Sequence, residues 1–89
     1  MSYDVSLTEE AEDDLKRLED PVLQSHVLDQ LDYLSRAPAA LSRPASFPHL
    51  PYQKYQFWSP DHTIHFTTLF QYSQDERTLI IVGIGVVRY

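Results

Sequence analysis

Residues 3–18 read Tyr-Asp-Val-Ser-Leu-Thr-Glu-Glu-Ala-Glu-Asp-Asp-Leu-Lys-Arg-Leu, and a change of period inside this stretch decides the fold. Up to Leu7, apolar and polar residues alternate, as on a strand with one buried face. Thr8 has the chemistry of a helix N-cap. Glu9, Glu10 and Glu12 follow in the first turn, where carboxylates favour the positive end of the helix dipole. Ala11, Leu15 and Leu18 then recur at helical spacing and predict a narrow apolar stripe.

Asp20-Pro21 restarts the chain, since Asp caps and Pro is tolerated at the first helical position. A second helix is predicted from Pro21 to about Arg36, burying Leu23, Val27, Leu31 and Leu34, with Val22 and Leu28 widening that face. The short break predicts an antiparallel helical hairpin. Ala37–Pro51 holds four of the six prolines and is expected to cross as an extended, irregular segment. Ordered loops of this length are often functional.

Three strands are predicted after it. Tyr52–Trp58 is rich in aromatics, and Ser59-Pro60-Asp61 is a turn signal. Thr63–Phe70 alternates, with Ile64, Phe66 and Phe70 on one face and His65, Thr67 and Leu69 on the other. Gln71–Arg77 is a polar turn. Leu79–Val87 is nearly all apolar, as a central or doubly covered strand would be. Gly83 and Gly85, two apart within it, mark a bulge or a close approach. No repeat is visible. The order β-α-α-β-β-β predicts an α+β layer, a helical hairpin packed on a small, mainly antiparallel four-stranded sheet.

The chain has 89 residues, enough for a single domain spanning 1–89. It has no cysteine, which excludes disulfides, thiol nucleophiles and cysteine metal sites. No apolar run approaches the roughly 20 residues of a membrane helix, and the first residues lack a basic start and an apolar core. A cytoplasmic location is therefore expected. Net charge is −6, unevenly spread. Residues 1–32 hold ten acids against Lys16 and Arg17, while residues 33–89 hold three acids against five bases. An acidic helical half beside a mildly basic sheet half still allows the sheet to meet an anionic partner.

Taken together, these features resemble the RelE/ParE superfamily of type II toxin–antitoxin toxins. Ala11 to Leu18 is similar to that family's A-x-x-D-L-x-x-L, and Leu34-Ser35-Arg36-Ala37-Pro38 to its L-x-x-x-P. A Tyr/Phe-rich strand, a Ser-Pro-Asp turn, an I-x-F strand and a final Ile/Val strand ending near an Arg complete the pattern. The resemblance implies a toxin neutralised by a cognate antitoxin, as a homodimer or a toxin–antitoxin hetero-oligomer. Members act as ribosome-dependent mRNA endoribonucleases (RelE-like, causing growth inhibition as mRNA interferases) or as inhibitors of DNA gyrase (ParE-like). A degenerate member that retains only partner binding is the third expectation.

RNA cleavage of this kind needs a base for the ribose 2′-hydroxyl, cations for the phosphate and an acid for the leaving oxygen. Lys54, His62, Arg77, Arg88 and Tyr89 are the candidate catalytic residues, expected to converge on one sheet face within about 10 Å, the scale of one active site. Tyr52, Tyr55, Trp58 and His65 are candidates for stacking RNA bases or receiving a partner. Some toxins of the superfamily use histidines, and His49, His62 and His65 resemble that variant, with Asp61 orienting one imidazole. The plainer reading leaves His62 in a turn, His65 facing solvent and His26 on the flank of the second helix. The family's third strand usually opens G-x-Y-R, and Thr63 stands at that Arg. Its last strand often ends His-Arg or Lys-Arg, and here Val87 precedes Arg88. No cofactor or metal is expected, because His62 and His65, three apart on a strand, would point to opposite faces.

Overall fold

The computed structural model describes residues 2–45 and 50–89. Strand β1 (Asp4–Leu7) runs into helix α1 (Glu9–Lys16), followed by α2 (Pro21–Arg36) and a single turn α3 (Pro38–Leu41). Strands β2 (Arg43–Pro44), β3 (Gln53–Trp58), β4 (Ile64–Tyr72) and β5 (Thr78–Arg88) follow. They form one sheet in the order β1-β5-β4-β3-β2. β1 pairs with β5 in parallel, and every other pairing is antiparallel. The α+β class and the mainly antiparallel sheet stand, but among the described residues the sheet has five strands, not four. The extra one is two residues of the proline-rich crossing, which is neither wholly extended nor irregular.

The caps form as the side chains dictate. Thr8 Oγ1 accepts from the Ala11 N–H at 3.2 Å, and Asp20 Oδ1 accepts from the Val22 N–H at 2.9 Å. Glu19, at φ 59°, turns the chain between the two helices. The Gln24 amide then donates to the Leu15 carbonyl at 3.3 Å, satisfying the end of α1 from α2.

The hairpin covers one face of the sheet. Ala11, Leu18, Val27, Leu31 and Leu34 meet Tyr55, Phe57, Ile64, Phe66, Phe70, Leu79, Ile81 and Ile84 in a single core. Val22 and Leu28 do not join it; Val22 is 70% exposed. Among the described residues, Thr68 Oγ1 is a buried side-chain oxygen without a hydrogen-bond partner.

β5 is not the central strand: it lies between β1 and β4, and it is covered on one face only. Its register against β4 slips between Leu69 and Phe70, leaving Val82 as an extra residue beside Gly83. The bulge changes which residues face the helices: Leu79 and Ile81 before it, Ile84 and Val86 after it. β1 ends at Leu7, so the outer edge of β5 continues without a strand neighbour. α1 crosses there. The Thr8 N–H donates to the Ile81 carbonyl at 3.0 Å, and the Ile84 N–H donates to Asp14 Oδ2 at 3.0 Å.

A repeat the sequence hid is a turn used twice. Ser59-Pro-Asp61-His62-Thr63-Ile64 and Ser73-Gln-Asp75-Glu76-Arg77-Thr78 close the β3–β4 and β4–β5 hairpins alike. In each, the Ser hydroxyl donates to the Asp carboxylate two residues on, at 2.7 and 2.6 Å. In each, the residue after Asp is left-handed, His62 at φ 59° and Glu76 at φ 58°.

Candidate functional site on the uncovered sheet face

Strand register decides which side chains share the face that the helices leave bare, because directly paired residues project to the same side. Three rows result. Arg43 pairs with Lys54, Lys54 with Leu69, and Leu69 with Gly83. Gln56 pairs with Thr67, and Thr67 with Gly85. Trp58 pairs with His65, and His65 with Val87. None of these residues carries a carboxylate.

The face has two poles. At one end Arg43 and Lys54 stand directly opposite each other across β2 and β3. Like charges in that position repel, and neither cation has a salt bridge among the described residues. Such a pair is suited to an anion. At the other end Trp58, 40% exposed, gathers three rings. His65 meets it edge-on at 4.9 Å, His62 stacks at 6.1 Å, and Tyr89 lies tilted at 5.3 Å. The poles are four residues apart along β3, about 13 Å.

His62 reaches this cluster because it lies in the turn, not on a strand. Its left-handed backbone brings its ring to the same indole that His65 touches, so the two imidazoles are not on opposite faces. Asp61 does not orient either of them. Its Oδ1 accepts from Ser59 Oγ, Thr63 Oγ1 and the Thr63 N–H. Those bonds, the Ser59 hydroxyl foremost, lower the Asp61 carboxyl to about 2.

The expected convergence of five catalytic residues does not occur. Arg77 precedes β5 and Val87 nearly ends it, so Arg77 lies about 30 Å from the Trp58 row, close to the 34 Å length of the molecule. Arg88 pairs with buried Ile64 and therefore projects to the helix side, where it lines a cleft with Asp14, Arg17 and Leu18. Lys54, His62 and Tyr89 remain on the open side. Tyr55 also drops out of the exposed set: it is buried under α2, and its hydroxyl donates to Gln30 Oε1 at 2.6 Å. Burial raises the pKa of this phenol, with Tyr33 adding to the effect. Tyr52, two residues before Lys54, lines a cleft of about 550 Å³ with Glu9, Glu10 and Asp13 at the border of this face, a poor place for a phosphate. His26 is structural, donating to the Trp58 carbonyl at 2.9 Å and fixing the end of β3 to α2. His49 lies outside the described residues. Arg43 was missed, since two residues in a proline-rich stretch show no period.

No family model matches this chain, and no curated protein matches it in sequence. Solved structures do. The RelBE2 toxin–antitoxin complex of Mycobacterium tuberculosis contains a chain that is 20% identical, aligned over 94% of this chain and 96% of that one, with a TM-score of 0.75. An arginine-to-alanine double mutant of the E. coli toxin RelE in the free state is 15% identical over 96% and 83%, with a TM-score of 0.70. The intact E. coli RelBE toxin–antitoxin complex matches at 11% identity over 99% and 100%, also with a TM-score of 0.70. At these identities the likeness is one of architecture, and it is unambiguous: the chain has the fold of a RelE-family toxin.

Proposed function

We propose that this chain is the toxin of a type II toxin–antitoxin pair, that a cognate antitoxin restrains it, and that it grips and cleaves mRNA on its uncovered sheet face. One observation carries the reading: the cations Arg43 and Lys54 share a sheet face with Trp58, His65 and the rings of His62 and Tyr89, and the strand rows that hold them contain no carboxylate. Phosphate oxygens would meet the cations, and a base would stack on the indole. In the cleavage step a base removes the 2′-hydroxyl proton, that oxygen attacks phosphorus, and the bond to the 5′-oxygen breaks. An acid protonates the departing 5′-oxygen. His62, His65 and Tyr89 are the groups at hand for the two proton transfers. Residues 1–89 would form one domain acting in the cytoplasm, on ribosome-bound message.

Induced expression with primer-extension mapping of mRNA ends tests the reading. Cuts within ribosome-bound codons are expected, and the His62→Ala/His65→Ala double variant should lose them. Arrested growth with intact messages would replace this reading with a gyrase-type toxin. A second reading, a degenerate member that keeps partner binding alone, is favoured by one specific feature. Thr63 stands at the family's arginine position and Arg88 faces away, leaving two permanent cations on the face. Neither arrest nor cleavage would select it.

A further inference from the structure

The sheet ends in two different edges. On one side it ends in β2, two residues long and closed by Pro44. A short strand carrying a proline resists further pairing. On the other side it ends in β1, which has no proline and no lysine and an unbroken register against β5. Hydrogen bonds at both ends of β1 fix which groups point outward. The Asp4 N–H donates to the Arg77 carbonyl at 2.9 Å and the Thr8 N–H to the Ile81 carbonyl at 3.0 Å, so the even-numbered residues bond to β5. The N–H groups of Val5 and Leu7 and the carbonyls of Tyr3 and Val5 therefore face away from the sheet. Among the described residues, the Tyr3 N–H alone is met on that side, by the Ser35 carbonyl at 2.9 Å. Beside the edge runs a groove of about 320 Å³, lined by Val5 and Leu7 and by Leu28 and Leu31 of α2, with Asp4 and Asp32 at its border. Leu28 is 46% exposed there. The half of the chain that builds this region, residues 1–32, holds ten acids against two bases. Of the cations nearby, Arg36 donates to Asp32 at 2.9 Å, and Arg77 shares a cleft with Asp4 and Glu76.

We infer that this edge and groove receive an extended, basic segment of a partner protein, which adds a sixth strand beside β1. Its backbone pairs with the four outward groups. Its alternate, apolar side chains enter the groove against Leu28, and the intervening ones carry positive charge past Asp4. A second copy of this chain at the same edge would bring two acidic halves together, so charge selects a different, basic chain. The inference rests on the reading of a restraining partner proposed above and supplies that partner's chemistry. It anchors the partner at the edge opposite Arg43 and Lys54.

The test follows amide hydrogen exchange of the full chain by NMR. The probe is a blocked peptide, Lys-Val-Lys-Val-Lys-Val-Lys, and the control carries Glu in place of Lys. Alone, the chain should exchange Val5 and Leu7 quickly and Asp4, Ser6 and Thr8 slowly. The Lys peptide should slow Val5 and Leu7 at least about tenfold and leave the other three unchanged. Leu28→Lys and Asp4→Lys should each weaken that slowing; if Leu28→Lys loses its fold, the exposed Asp4 position decides alone. No slowing in a large excess of Lys peptide, equal slowing by the Glu peptide, or undiminished slowing in the folded variants overturns the inference. Peptide-free protection of Val5 and Leu7 that grows with protein concentration assigns the edge to a second copy and overturns it too. None of these readouts involves RNA or growth, so their failure leaves the toxin reading to the mapping of mRNA ends.

Discussion

Replacing both Arg43 and Lys54 by Gln should flatten the salt dependence of RNA binding by a predictable amount. The two cations are cross-strand partners on an exposed face, so each is placed to neutralise one phosphate. On a single strand each neutralised phosphate contributes about 0.7 to the slope of log affinity against log salt, giving about 1.4 for the pair. Raising monovalent salt fourfold, from about 50 to about 200 mM, should therefore cost the wild type about sevenfold more affinity than the double variant. Fold stability should barely move. The substitutions lie outside the core, and removing a like-charge pair relieves repulsion, so a change within about 0.5 kcal/mol is expected. The assay is fluorescence anisotropy with a short labelled RNA at four salt concentrations, with thermal melts as control. An unchanged slope in a folded double variant would refute the assignment of the phosphate pole. Full loss of the slope on replacing Arg88 alone would place the phosphate on the helix side.

Three further outcomes follow from the same geometry. Trp58→Ala should weaken RNA binding by about 1–3 kcal/mol while leaving the salt slope intact, measured in the same titrations; equal affinity would show that the indole does not stack a base. Thr68→Val should stabilise the fold by about 1 kcal/mol, because the buried Oγ1 lacks a partner and valine has nearly the same shape; a chemical-denaturation midpoint below wild type would contradict this. Asp61 has a folded pKa of about 2, below its ordinary 3.8, so its contribution is present above pH 4 and disappears as pH falls toward 2. Asp61→Ala should therefore show a shallower loss of melting temperature across that acid window than wild type, and an identical loss would exclude the turn as its source.

Much of the architecture was legible because local chemistry and burial agree. Thr8 and Asp20 cap the helices that their side chains predict, and the Val27, Leu31 and Leu34 spacing is the core face of α2. The alternation in β4 survives into the structure residue by residue. The site was less legible, for two physical reasons. The glycines of β5 signal a bulge, but its apolar run carries no alternation, so nothing in the sequence shows that the bulge at Val82 turns Arg88 toward the helices. Arg43 joins the face through two backbone pairings with β3, which follow from the tertiary path and not from any propensity of Arg-Pro. The His62 ring reaches Trp58 only because a left-handed residue follows Asp61, a turn device recognisable once its twin at Ser73 to Thr78 is seen.

Backbone amide shifts of the labelled protein, followed by NMR as single-stranded RNA is added, decide most directly whether the bare side of the sheet holds the message. Shifts confined to residues 43, 54–58, 62–69 and 83–89, with α1 and α2 unmoved, are predicted. Shifts centred on the helical hairpin, or none at saturating RNA, would contradict it.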